Sequence, residues 1–427
     1  MDAVVETTDI VVVGAGPTGL LLAAMVAERG LGVVVLESRG APDPLPRANG
    51  VVGAGVLVLE RRGLYRDLVG GDRSVRGWAR RAMTGNLGRR PRPAPWFGYA
   101  GYRLPLRRLA DNPVYALPVP QPRLESVLEA DASRQGADVR RESTAVHVEQ
   151  DDDAVTVHYD RPDGPHRIRA AYLVGCDGAH SRVRAMAGVG FVGTSRHDAV
   201  TRHGHVTIPR AALTRAGSLR VPAGTPLSAS ARSLRPYVTH RTEHGVLTFG
   251  AFAGGTHVVS TVEWDPPAEV DQAPMSIGEL GTSASRVLGF PLQLDEPHGP
   301  GPFQLRRVTN RSSRLAETFR RHRIVLAGDA AHVFSGFGAP AINAAILDVA
   351  DLAPRLAAAV RGEAPAATLD AYSSGRHAAA RRTAAFGNAQ EDLLAPGPEI
   401  DARRAAFERR LGDVRQLRQI AEGIAGH

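Results

Sequence analysis

The sequence predicts an α/β protein with a parallel-stranded body, an inserted and mostly β segment, and a helical stretch at its C-terminal end. Three observations predict it. A β-rich run, a glycine turn, a helix-forming stretch and a second β-rich run follow one another between Asp9 and Glu37. Buried-strand patterns return at 172–178 and 323–329, and the chain between about 195 and 305 reads as strands.

The first unit is the most informative. Asp9–Val13 forms a short strand, Gly14-Ala15-Gly16-Pro17-Thr18-Gly19 a turn, and Leu20–Arg29 a helix that Gly30 stops. Val33–Leu36 is a second strand, ended by Glu37 and joined to the first by a right-handed crossover. A dinucleotide pyrophosphate needs backbone close to it and a helix N-terminus aimed at it. Gly14 permits the tight turn, Gly16 lets the backbone approach the phosphates, and Gly19 lets the helix pack on the strand. Glu37 is placed to accept hydrogen bonds from a ribose, which favours FAD or NAD over NADP in this Rossmann-like pocket.

Further along, 70–122 is rich in Arg, Pro and Gly and reads as loops. Leu124–Gly136 reads as an amphipathic helix and Val139–Tyr159 as a hairpin or meander. The runs 244–249 and 257–262 mark strands of the insertion, and Ala341–Val360 is a long helix. The last 60 residues are helical, interrupted at Ala395–Pro398. The expected division is 1–194 and 306–380 for the two parts of the nucleotide-binding domain, 195–305 for a β-sheet substrate domain, and 381–427 for C-terminal helices.

A chain of 427 residues with 43% hydrophobic and 22% charged residues is globular rather than disordered. The net charge of +8 comes entirely from arginine, since there is no lysine, and the arginines are scattered. That pattern argues against nucleic acid as a partner. It also excludes a Walker-type loop, a Schiff base and lysine-assisted flavin halogenation. Cys176 is the only cysteine, so no internal disulfide or cysteine zinc site is expected, and the cytoplasm is the consistent compartment. No apolar run reaches the ~18–20 residues that span a bilayer. His203, His205, His240 and His244 lack accompanying carboxylates, so no metal site is expected.

Three further stretches resemble the group A flavoprotein monooxygenases, the family of para-hydroxybenzoate hydroxylase and the polyketide ring hydroxylases. Tyr172–Arg184 carries Cys176-Asp177-Gly178 with Ser181 and Arg184; Gly328-Asp329-Ala330-Ala331-His332 matches the second FAD motif; and Arg47 and Gln121 fall at positions beside the flavin. The resemblance implies that Asp177 and Gly178 serve FAD and the visiting NAD(P)H, and that Asp329 bonds the ribityl chain. It also implies that Arg47 acts electrostatically near the flavin. Taken on their own, Asp177-Gly178 also fits a turn and Asp329 a helix N-cap.

The implied enzyme uses NAD(P)H and O2 to oxygenate an aromatic, polyketide-like molecule of antibiotic biosynthesis through a flavin C4a-hydroperoxide, as a monomer or homodimer. Tyr237, Phe249 and Phe252 are the expected cavity residues. The chain departs from the family after the second motif: Gly338 and Asn343 keep register, but Ala339-Pro340-Ala341 replaces Gly-Gln-Gly. Pro340 has no N–H to offer a reduced flavin. The departure keeps open an alternative in which FAD is structural or non-redox and the protein catalyses a cyclisation or rearrangement. A full thioredoxin-like C-terminal domain is not expected.

Overall fold

In the computed structural model, residues 6–45, 48–70, 90–229, 231–251, 255–264, 273–299, 301–335 and 340–426 are described. Strand β1 (Glu6–Val13), helix α1 (Pro17–Ala27) and strand β2 (Val33–Leu36) form the expected crossover, with β1 and β2 parallel from Ile10↔Val33 to Val13↔Leu36. Both strands end fully buried, as the absence of polar residues in Ile10–Val13 and Val33–Leu36 requires of a sheet covered on both faces.

Before the stretch read as loops come β3 (Gly50–Val52), α2 (Ala54–Arg61) and α3 (Tyr65–Gly70). That stretch is mostly irregular where described, but it holds the short strands β4 (Phe97–Tyr99), β5 (Tyr102–Leu104) and β6 (Ala116–Pro118). Helix α4 (Gln121–Arg134) packs on α1. Strand β7 (Asp138–Arg140) then joins β2 in parallel, and β8 (Thr144–Gln150), β9 (Val155–Arg161) and β10 (Gly164–Gly175) form the antiparallel meander. β10 is the hub: its first half pairs with β9 and its second half lies parallel between β1 and β21 (Ile324–Leu326), with β20 (Arg320–Arg321) at the edge. The short helix α5 (Arg182–Met186) follows β10.

β11 (Phe191–Arg196) leads out of this sheet and β19 (Arg311–Ala316) leads back, paired antiparallel from Phe191↔Ala316 to Arg196↔Arg311. Between them β12 (Ala199–Val206), the hairpin β13 (Leu219–Arg220) and β14 (Ser233–Leu234), β15 (His240–Thr242), β16 (Gly245–Ala251), β17 (His257–Trp264) and β18 (Leu305–Val308) build a second region. Its five-stranded antiparallel sheet has the order β15-β16-β17-β12-β18. An amphipathic helix absent from the sequence reading, α6 (Ile277–Leu288), packs on one face of this sheet through Leu280, Ala284 and Val287 against Leu247, Phe249 and Val259. Ser276 caps its first turn by accepting from Glu279 N, and Gly289 ends it in the left-handed region.

After β22 (His332–Val333) come α7 (Pro340–Val360), α8 (Thr368–Asp392), α9 (Pro398–Arg410) and α10 (Val414–Ala425). Arg311 donates to Asp198 Oδ1 (2.6 Å) and Glu391 Oε2 (3.1 Å), and Arg196 to Asp392 Oδ1 (2.7 Å), so the paired strands are anchored to the end of α8. Among the described residues no helix is long and apolar enough to cross a membrane.

Candidate functional site

The glycine turn shows why each glycine is there. Gly14 has φ +105°, and a Cβ on it would strike the backbone of Cys176 and lie 3.0 Å from Asp177 Cα. A Cβ on Gly19 would run into the Gly14 carbonyl oxygen, with Val12 Cγ1 at 3.2 Å, so only glycine lets α1 sit this close to β1. Gly16 is different: it is the N-cap of α1, and a Cβ there would meet nothing within 4 Å. The helix N-terminus therefore opens onto free space, the geometry an anion needs.

Glu37 lies at the end of β2, with Oε2 accepting from Ala15 N (2.8 Å) and Oε1 from Arg39 N (2.9 Å). Two backbone donors fix the carboxylate beside the turn, and each oxygen keeps acceptor capacity for a ribose hydroxyl.

The Asp177-Gly178 stretch is a bracing turn. Asp177 accepts from Ser181 Oγ (2.5 Å), Arg182 N (2.7 Å) and Val183 N (3.1 Å), and Ser181 Oγ accepts from Arg184 N (2.9 Å). Gly178 has φ +84°. Buried Arg184 then donates to Ala330 O (3.0 Å) and Ala179 O (3.0 Å), with its guanidinium 3.7 Å from the centre of the Phe191 ring. The end of β10 is thereby tied to the Gly328-Asp329 turn, 146 residues away. Cys176 is buried between them, and burial pushes its thiol well above the usual range, leaving it protonated.

At Gly328, φ is +62° and a Cβ would crowd Thr18 Oγ1. Asp329 retains accessible surface, yet the protein around it desolvates the carboxyl enough to push its pKa above the ordinary aspartate value. The turn is held from behind by His332, the last residue of the motif, and by Asp348 and Arg376, which lie outside every sequence motif. Asp348 on α7 accepts from Gly328 N (3.1 Å), pairs with His332 Nε2 (2.6 Å) and accepts from Arg376 Nε (2.7 Å), with His332 and Asp348 wholly buried. Burial opposes the charge on Asp348, but His332 and Arg376 outweigh it and hold the carboxyl low. The partners stand 16 and 28 residues from Asp348, and the only sequence signal is an acid set among the apolar residues of α7.

Asn343 is a structural tie: it accepts from Gly55 N (2.7 Å) and donates to Ala425 O (3.2 Å), joining α2, α7 and α10. Gln121 starts α4 and donates to Glu125 Oε1 (2.7 Å). Arg47, Phe252, Gly338 and Ala339 lie outside the described residues.

Two of the expected cavity residues separate onto opposite faces of the inserted sheet. Phe249 is 2% exposed and packs in the core beneath α6, so it does not line an open face. Alternation along β16 sends Val246, Thr248 and Gly250 to the other face, where the Tyr237 ring covers Gly250 and its hydroxyl donates to Ala251 O (3.1 Å). Val246 and Val262 on that face pack against Tyr99, Leu104 and Leu106 of the β4–β5 region and Leu417 of α10.

A turn open to an anion, a fixed ribose acceptor and an accessible aspartate on a braced second turn form the cradle of a dinucleotide-binding flavoprotein. Over residues 7–387 the chain matches the family described as FAD binding domain, and it belongs to that family. It is 31% identical over 399 residues to the 12-dehydrotetracycline 5-monooxygenase/anhydrotetracycline 6-monooxygenase of Streptomyces rimosus, covering 93% of this chain and 72% of that protein. It is 30% identical over 417 residues to the dialkyldecalin synthase of Streptomyces rugosporus, covering 98% and 76%. An anhydrotetracycline hydroxylase structure from Streptomyces rimosus has a TM-score of 0.78 at 26% identity, covering 98% of this chain and 76% of that one. The chain is an FAD-dependent oxidoreductase of the monooxygenase class.

Proposed function

We propose that the protein oxygenates an aromatic, polyketide-like small molecule with NAD(P)H and O2, acting in the cytoplasm as a monomer or homodimer. The observation that carries this reading is the cradle itself: Gly16 open at the N-terminus of α1, flanked by Glu37 and the accessible Asp329. When bound, FAD would supply the two-electron reduction by NAD(P)H and the activation of oxygen. Gly14, Gly16 and the first turn of α1 receive the pyrophosphate, Glu37 the adenosine ribose, and Asp329 the ribityl hydroxyls. Asp348, His332 and Arg376 hold the Gly328 turn in place, and Arg184 keeps it in register with β10. The two segments 1–194 and 306–380 form the FAD body, while the open face of the sheet in 195–305 covers the substrate and excludes water. Arg47 and Gln121 are assigned to the flavin's neighbourhood on the resemblance.

Anaerobic titration with NADH and NADPH, followed at the flavin absorbance and repeated with aromatic polyketides, tests the reading. Reduction accelerated by an aromatic ligand, with oxygenated product on admitting air, is the expected result. A second reading has a specific observation behind it, the 30% identity to a dialkyldecalin synthase. A flavin that resists reduction under every condition, in a protein that still converts a polyene to a cyclised isomer, would favour it.

A further inference from the structure

The open face of the inserted sheet carries an ordered stripe of hydrogen-bonding side chains. Thr248 pairs in register with Ser260, Ser260 with His203, and His203 with Arg306, so one polar group from each of β16, β17, β12 and β18 stands in a single row across the sheet. Thr239, just before β15, extends the row, with Thr248 Oγ1 donating to Thr239 Oγ1 (3.0 Å). His203 Nδ1 bonds Ser260 Oγ (2.8 Å). At the usual strand spacing, four strands span about 14 Å.

The rows on either side are more apolar. One contains Val246, Val262, Thr201 and Val308; the other contains the Tyr237 ring over Gly250, Val258 and the buried His205. A water-facing sheet would leave the stripe exposed, but Thr239, Thr248, Ser260 and His203 are all half-buried and only Arg306 is exposed. The adjoining row, through Val246 and Val262, is packed against the β4–β5 region, so the stripe runs beside a covered edge of this face.

Since Nδ1 is taken by Ser260, Nε2 is the ring nitrogen left for a ligand, and no partner for it is found among the described residues. We propose that the Thr248–Ser260–His203 stripe, ending at Arg306, is the specificity surface that receives the oxygenated edge of a planar aromatic substrate, with His203 Nε2 bonding a ring hydroxyl or carbonyl oxygen. The inference rests on the aromatic-oxygenation reading above and deepens it: the favoured substrates carry oxygens along one edge and are bare along the other. Burial, with Arg306 and His205 alongside, pushes His203 down to about 4. The ring is therefore neutral near pH 7, and Nε2 donates or accepts according to the tautomer that the Nδ1–Ser260 bond selects, matched to ketones and phenols rather than to carboxylates. Arg306 at the end of the row favours the ionised form of an acidic phenol.

The test uses the FAD-loaded protein and two minimal probes that differ by one hydroxyl, 1-naphthol and naphthalene, with affinities measured by calorimetry. The wild type is expected to prefer 1-naphthol about tenfold, the factor one net hydrogen bond supports. His203→Phe should abolish that preference while keeping naphthalene affinity and FAD content; His203→Gln should retain part of it, and Ser260→Ala should weaken it. Equal loss of both probes in His203→Phe with FAD retained would make the ring a packing element and overturn the proposal, as would an undiminished preference. If His203→Phe fails to hold FAD, His203→Gln and Ser260→Ala decide, and preferences equal to wild type in both overturn it. A wild type that binds both probes without preference refutes the stripe alone. Binding of neither probe, and of no larger aromatic, refutes the stripe and the aromatic-substrate reading together.

Discussion

Gly16 and Gly19 stand three residues apart, yet replacing each with alanine should damage a different property. Gly16 has φ −77° and ψ −179°, a backbone that any L-residue adopts, and a Cβ there meets no protein atom within 4 Å. Alanine would gain about 0.4–1 kcal/mol from the less flexible unfolded chain and lose a similar amount as a poorer N-cap. The FAD-free fold of Gly16→Ala should therefore stay within about 1 kcal/mol of wild type. The methyl would, however, stand over the helix N-terminus where the pyrophosphate approaches. Losing one charge-assisted bond, worth about 1.5–3 kcal/mol, weakens FAD by roughly tenfold to a hundred-and-fiftyfold, and losing a second multiplies that factor again.

Gly19→Ala is the contrast, because its Cβ would overlap the Gly14 carbonyl oxygen and press Val12 Cγ1 at 3.2 Å. The helix must shift, at an overpacking cost of about 1–3 kcal/mol. Thermal unfolding of the FAD-free variants and quenching of FAD fluorescence separate the two effects. Unchanged FAD affinity in Gly16→Ala would refute the assignment of the pyrophosphate to that turn, and equal destabilisation by both substitutions would refute the packing argument.

Glu37→Arg should weaken FAD by at least tenfold by removing the ribose acceptor and adding a wrong charge, measured by equilibrium dialysis; retention equal to wild type would exclude that acceptor role. Asp348→Asn should destabilise the FAD-free protein by about 3–5 kcal/mol, because it leaves Arg376 and His332 facing a neutral amide in the interior, as chemical denaturation would show. The folded carboxyl of Asp348 is held below its ordinary 3.8, so its contribution is complete above that value and disappears as pH falls below it. Acid unfolding of Asp348→Asn should accordingly be shallower than that of wild type. Saturating FAD at 100 times its Kd should stabilise the wild type by about 2.7 kcal/mol and raise its melting temperature, and a midpoint indifferent to FAD would contradict specific binding to the folded state.

What was legible in the sequence was what is local. Gly14 to Glu37 is a single strand–helix–strand unit, and its glycines are constrained by atoms a few residues away or by the neighbouring strand. The Gly328-Asp329 turn is visible as a pattern, but the Asp348 clamp behind it is not, because its partners are spread over that turn, β22 and α8. Asp177 illustrates the opposite limit. Its carboxylate accepts from Ser181, Arg182 N and Val183 N and so braces the α5 turn, a structural task no spacing reveals. Phe249 lies on a strand, as its run predicts, but a strand does not announce which face is open, and this one turns Phe249 into the core instead of a cavity. That was settled by α6, whose apolar stripe covers the Leu247–Phe249 side and leaves Thr248 outward.

The pairing of β11 with β19 has a consequence for how such a chain can change. Where Arg196 meets Arg311, the way out and the way back lie side by side and are clasped to the end of α8. To the FAD body, everything between them is a loop whose ends are already closed, and the entropic cost of such a loop grows only with the logarithm of its length. The inserted sheet is thus a cassette joined to the FAD body through a two-strand clasp and packed on the β4–β5 region by Val246 and Val262. It can be lengthened, shortened or repatterned, stripe included, without moving the strands and turns of the cradle beneath it.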